Sequence, residues 1–209
     1  MTDVTDPAPG PIERSGRRRT TVGTTTRVTA GSTLLRVEDL HTSFDMPFGE
    51  VKAVNGVSFT LDHGRTLGIV GESGSGKTVL VRSIMRLSLG SNVTTTGTVE
   101  FNGRDLLGIP IRQMQDLWGP ELAMVFQDPM TSLNPLVRVS RQVTEHLHRH
   151  LGVSRDQARQ TALELMREVR IPEPETRLRA FPHELSGGMR QRVCIAIALA
   201  CEPTLLFAD

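Results

Sequence analysis

Eight consecutive residues, Gly71-Glu72-Ser73-Gly74-Ser75-Gly76-Lys77-Thr78, have the spacing G-x-x-x-x-G-K-[ST], and each residue type has a use around phosphate. Glycines let successive backbone N–H groups turn inward on phosphate oxygens. A helix starting here adds the positive end of its dipole. Lys77 can neutralise β- and γ-phosphate oxygens and Thr78 offers a hydroxyl to Mg²⁺; Val79, next in line, is assigned to the same binding set. A chance match in a chain of this length is on the order of 1%, so a merely flexible Gly/Ser turn is the poorer reading. A dinucleotide fingerprint fails, because G-x-G-x-x-G from Gly74 would need a third glycine where Val79 stands. The loop fits a nucleoside triphosphate.

The flanking sequence predicts the elements that hold this loop. Residues 66–70 are continuously apolar, which predicts a central strand covered on both faces. Val81, Ile84, Met85 and Ser88 then recur at helical intervals. Upstream, residues 34–44 and 51–61 read as two antiparallel strands, with Val57, Phe59 and Leu61 alternating against Ser58 and Thr60. Residues 97–103 predict a strand closed by the turn pair Asn102-Gly103. Residues 122–127 and the terminal run 204–209 predict further apolar strands, the last buried and closed by Asp209. Between them the period changes. Val143, Leu147 and Leu151 recur every fourth residue, and Ser154 with Gln157 forms a capping-box pattern. Behind that cap, Ala158, Ala162, Leu165, Met166 and Val169 make a buried stripe. An all-helical insert from about 135 to 170 is expected, then a stiff connector through Pro172, Pro174 and Pro182 that cannot continue a helix. A last helix runs from about 188 to 200.

A second motif starts that helix. Ser186 is a good N-cap, and Gly187 and Gly188 bare the backbone of the first turn, so its N–H groups form a second anion site. Residues 185–192, Leu-Ser-Gly-Gly-Met-Arg-Gln-Arg, resemble the signature of ATP-binding-cassette (ABC) ATPases. The resemblance covers nearly everything from Leu34 onward. It implies an α/β fold, the P-loop NTPase ABC-type nucleotide-binding domain, with a mixed sheet core, an antiparallel β subdomain and a helical subdomain at about 135–188. It implies ATP and Mg²⁺ as cofactors. It also implies a head-to-tail dimer with an identical or paralogous ATPase subunit, in which the signature of one protomer closes over ATP held by the other. By the same resemblance Gln127 senses the metal and γ-phosphate and its loop touches membrane subunits. Asp209 holds Mg²⁺ through water. Lys77, Gln127 and Asp209 are then the catalytic set, and Thr78, Gln127 and Asp209 the metal set. Phe44 reads either as the aromatic that stacks on adenine or as a core strand residue.

Residues 126–135 and 181–192 look like the ATPase subunits of oligopeptide, dipeptide and nickel importers. Met189 departs from the glutamine most common at that place, which puts a side-chain contact to the neighbour's nucleotide in doubt. The resemblance therefore implies a peripheral ATPase on the cytoplasmic face of the membrane, working on two permease subunits fed by an external solute-binding protein. Two other classes compete: a soluble ABC-type ATPase in DNA repair or translation, and a nucleotide-binding regulator that does not hydrolyse. Neither a heptad run nor a second phosphate loop favours the first.

Composition sets bounds. Lys and Arg number 24 against 23 Asp and Glu, for a net charge of +1, so no global field favours nucleic acid. Cys194 and Cys201 stand seven residues apart in one apparent helix, roughly 10 Å at 1.5 Å per residue, too far for a disulfide. Residues 1–32 read as a disordered Thr/Arg/Pro-rich tail and 33–209 as the domain. Family members place a glutamate that polarises water, and later a switch histidine, after the equivalent of Asp209. All six histidines (His41, His63, His146, His148, His150 and His183) precede it. The chain thus reads as C-terminally truncated, binding ATP far better than it cleaves it; turnover equal to that of an extended chain would refute this. His146 and His150 share a face at i, i+4, which reads as a solvated helix face and no zinc site.

Overall fold

The computed structural model describes residues 32–87, 90, 92–128 and 132–209. The expectations for residues 1–31, for Ser88 and for 129–131 lie outside these residues. The described chain begins with β1 (Thr33–Met46) and β2 (Gly49–Asp62), which pair antiparallel as expected. Ser32, placed in the tail by sequence, already accepts the His63 amide at 3.0 Å. β3 (Val93–Phe101) joins the other edge of β1, and β4 (Arg104–Asp105) completes a sheet of order β2-β1-β3-β4. Asn102 and Gly103 turn with φ of 52° and 77°. Two positive values at a two-residue loop match the right-handed strand twist, so this dipeptide fixes the β3–β4 register.

Helix α1 (Lys77–Ile84) packs on that sheet. Its Leu80 and Ile84 are buried with Leu35, Val37, Leu40, Val99 and Phe101 in one apolar cluster. Burial of each such side chain is worth about 1.5–3 kcal/mol. Behind the apolar contacts, the buried Thr42 hydroxyl donates to Ser83 Oγ at 2.8 Å, and Ser83 donates to the Val79 carbonyl at 2.8 Å. The helix stops where Arg86 adopts φ 51°, and the Arg86 guanidinium donates to the carbonyls of Leu106 and Ile109. A helix the sequence did not announce, α2 (Ile111–Leu117), adds Met114 and Leu117 to the same cluster.

β5 (Leu122–Val125) and β6 (Leu205–Ala208) form a parallel pair in the register Leu122↔Leu205 to Val125↔Ala208. The crossover between them is helical: α3 (Val139–Leu151), α4 (Arg155–Glu168), α5 (Pro174–Arg177) and α6 (Gly187–Leu199). Val139, Val143, Leu147, Ala158, Ala162, Met166, Val193 and Ala196 bury a second apolar cluster. Ser154 caps α4 reciprocally: its hydroxyl accepts the Gln157 amide at 3.3 Å while Gln157 accepts the Ser154 amide at 3.1 Å.

Three expectations need correction. Residues 66–70 join no strand ladder, and Leu67, Ile69 and Val70 are exposed, Val70 by 94%. Apolar continuity predicts burial on both faces, yet among the described residues no strand runs beside this segment. β6 is likewise only part buried, Leu206 being exposed, because among the described residues β5 is its one neighbour. The connector does not continue α4, as expected, and two of its prolines start short new elements: Pro174 is the first residue of α5, and Pro182 opens a 3₁₀ turn, Pro182–Glu184. Proline's missing N–H costs nothing at a first helical position. Leu151, assigned to the α3 stripe, is exposed at the last residue of its helix.

Candidate functional site

Gly76 is the hinge between loop and helix. It is the N-cap of α1 with φ 91°, and a Cβ there would lie 2.2 Å from the Ala53 carbonyl oxygen of β2. Both facts require glycine, the first by backbone conformation and the second by contact. Ala53 is thus a site residue the sequence did not reveal, since a contact across 23 positions leaves no local signal. Residues 71–75 are exposed, and 76–79 half-buried.

Lys77 folds back over this loop. Its Nζ donates to the carbonyls of Gly71 at 2.8 Å and Glu72 at 2.7 Å, with Ser75 Oγ at 3.4 Å. The ammonium therefore stands inside the ring of backbone that the glycines shape. Ser73 and Gly74 form the outer turn, Gly74 with φ 81°. Val79 packs against the apolar cluster with its side chain, leaving its backbone as the part available to a ligand.

Thr78 and Asp209 meet. The Thr78 hydroxyl donates to Asp209 Oδ2 at 2.7 Å and lies 3.0 Å from Oδ1, across 131 positions of sequence. Asp209 is held at the end of β6 by the parallel pairing with β5, its amide extending the ladder by donating to the Val125 carbonyl at 3.1 Å. Gln127 follows two residues after β5, exposed at the same sheet end; the strand stops at Val125, short of the expected 127. A hydroxyl and a carboxylate side by side form an oxygen donor pair of the kind a hard divalent cation prefers.

Phe44 is half-buried in β1, opposite Val51 of β2 and Val93 of β3. Val51 is two residues from Ala53, so Phe44 occupies the part of the sheet next to Gly76. Ser186 accepts the Met189 amide at 3.3 Å and caps α6 as predicted. Ser186, Gly187 and Gly188 are exposed, and a Cβ at either glycine would meet nothing within 4 Å. The loop and this second helix start belong to different apolar clusters, the first on the antiparallel sheet and the second in the helical unit.

Comparison with known proteins places the chain in one group. The model of the ABC transporter family matches residues 54–209. The chain belongs to that family. It is 51% identical over 177 residues to the oligopeptide transport ATP-binding protein OppD of Bacillus subtilis, covering 84% of this chain and 49% of that protein. With the dipeptide transport ATP-binding protein DppD of Lactococcus lactis the identity is 47% over 177 residues, 84% of this chain and 51% of that protein. The chain spans about half the length of the curated relatives it matches. Among solved structures, the dimeric ATP-binding cassette MJ0796 in a post-hydrolysis state with ADP and phosphate superposes with a TM-score of 0.75. That match has 25% identity and covers 84% of this chain and 73% of that one. The ABC-type α/β fold, with its antiparallel β subdomain, is therefore established for this chain.

Other chemistry-bearing residues stay outside the site. His146 and His150 are half-buried against Gly119, not on a solvated face as expected, and stack with ring centroids 6.1 Å apart; no group of three or more metal-ligating side chains occurs among the described residues. Cys194 lies in α6 and Cys201 just beyond its end; both thiols are free and buried, and burial pushes Cys201 up to about 11. Neither is a ready nucleophile. No helix among the described residues is long and apolar enough to cross a membrane.

Proposed function

We propose that this chain is the nucleotide-binding part of an ATPase subunit that powers import of oligopeptides or dipeptides. The carrying observation is the contact of Thr78 with Asp209, which joins the phosphate loop to the end of β6 at the place where a metal-bound triphosphate would need oxygen ligands. The glycine-required hinge at Gly76 and the inward Lys77 fit phosphate. Gly71 to Val79 would hold the phosphates, Phe44 the base, and Thr78, Gln127 and Asp209 the Mg²⁺. The metal supplies charge compensation on the β- and γ-oxygens when bound. Residues of this chain hold and orient the nucleotide, the exposed loop of residues 71–75 leaving its phosphates within reach of water.

The bare start of α6 supports a dimer. Gly187 and Gly188 have ordinary helical backbone and open space around them, so nothing among the described residues requires glycine there. Glycine in a helix is about 1 kcal/mol worse than alanine. A partner's nucleotide approaching the exposed N–H groups accounts for that cost. In the whole protein the partners are a second ATPase subunit, two permease subunits and, indirectly, an external solute-binding protein, at the cytoplasmic membrane face. The names of the relatives support the peptide class, and a soluble ATPase of DNA repair or translation is not favoured.

Equilibrium binding of a fluorescent ATP analogue with and without Mg²⁺ tests the site. Lys77→Ala is expected to weaken binding at least about tenfold, and Asp209→Asn to remove most of the Mg²⁺ dependence. Binding indifferent to Lys77→Ala would refute the assignment.

A further inference from the structure

The helical unit carries a cavity the nucleotide site does not use. A cleft of about 920 Å³ opens among α3, α4 and α5, and Arg141, Arg149, Arg155, Arg159 and Arg179 all line it. Among the described residues, none of these five guanidiniums takes part in an ion pair. Two carboxylates share the lining, Glu145 and Glu175, and Glu175 is already engaged by Arg167 from outside the cleft. In a chain of net charge +1, this is a local concentration of positive charge.

Two of the five arginines are placed at a cost. Arg155 is the first residue of α4, where a cation opposes the helix dipole. Arg159 stands one turn further on, at the i, i+4 spacing where like charges repel. Arg179 stands just beyond α5, and Arg149 in the last turn of α3, where the dipole suits a cation and Glu145 lies one turn away. An anion seated among them would remove these repulsions together. Guanidinium forks match the paired oxygens of phosphate better than a point charge does. The hydroxyl of Ser140, also in the lining, can supply a further donor, whereas that of Thr144 donates to the Arg141 carbonyl at 3.4 Å.

We infer that this arginine-lined cleft binds a phosphate-bearing anion at a site separate from the phosphate loop. The ligand chemistry is shared by soluble phosphate esters and anionic lipid headgroups.

The test works in the Lys77→Ala background, which removes the phosphate loop's contribution. That variant is compared with Lys77→Ala/Arg155→Gln/Arg159→Gln, both changes being at exposed positions, and circular dichroism checks that each protein is folded. Inorganic tripolyphosphate is titrated by calorimetry, and vesicles of phosphatidylglycerol are compared with vesicles of phosphatidylcholine by sedimentation. The expected result is binding to tripolyphosphate or to the anionic vesicles that falls at least about tenfold when the two arginines are neutralised. Loss in the calorimetric arm identifies a soluble phosphate compound, and loss confined to the vesicle arm a headgroup. Absence of binding to both probes, or binding that the arginine changes leave unaltered, overturns the inference. ATP binding by the unsubstituted loop is measured separately, so failure here leaves the nucleotide-site assignment standing.

Discussion

Gly76 concentrates two independent demands in one residue: a left-handed backbone and a Cβ-free contact with Ala53. Gly76→Ala is expected to lower stability by about 2 kcal/mol or more, combining the left-handed penalty with overpacking against an immobile carbonyl. Urea unfolding measures the first effect and nucleotide titration the accompanying loss of binding. Unchanged values in both would show that the loop relaxes freely. The eight-residue motif made the need for glycine legible in sequence, since the spacing alone puts it where the loop becomes helix. The identity of the opposing atom was not legible, because Ala53 lies on a strand that the fold brings alongside.

Helix α6 combines a well-made cap with two helix-weakening glycines, and the consequences can be separated. Ser186 satisfies the Met189 amide, so Ser186→Ala should cost about 1 kcal/mol. Gly187→Ala and Gly188→Ala should each stabilise the isolated chain, by up to about 1 kcal/mol, since no strained backbone or crowding stands in the way. The same two changes should impair ATP-driven pairing of subunits in the whole protein. Urea unfolding of the variants checks the first outcome; analytical ultracentrifugation of the whole protein with ATP checks the second. Destabilisation of the lone chain would mean that the glycines serve the fold, removing their support for a dimer. Sequence periodicity read the helical insert well, including the reciprocal cap at Ser154 and Gln157, because caps and stripes are local chemistry. It misjudged residues 66–70 because an apolar run reports what a segment would bury, whereas burial also needs a neighbouring strand.

Across the molecule, the helical unit meets the sheet-bearing unit near a pair of titratable rings. A Cβ on Gly119, which lies between α2 and β5, would be 3.4 Å from the His150 ring and 3.9 Å from His146 Nδ1. Burial lowers the pKa of His146 below the ordinary imidazole value, Glu145 opposing and Arg149 assisting. Burial also lowers His150, with His146 and Arg149 adding to the shift and Asp116 opposing it. With folded values below unfolded ones, the unfolded chain binds more protons as pH falls past the ordinary value. Their contribution is thus full above that value and lost as pH drops through the folded pKa. Unfolding free energy should decline between about pH 7 and pH 5, less steeply in His146→Gln/His150→Gln; equal slopes would exclude these rings as the cause. The amino-acid sequence alone determined that a glycine-rich loop leading into a helix, a second glycine-bared helix start and a helical insert exist, because each is written in residues adjacent along the chain. Folding had to bring Thr78 to Asp209, Ala53 to Gly76 and five arginines to one cleft. Those contacts depend on strand register and helix packing over long separations, which no local pattern encodes.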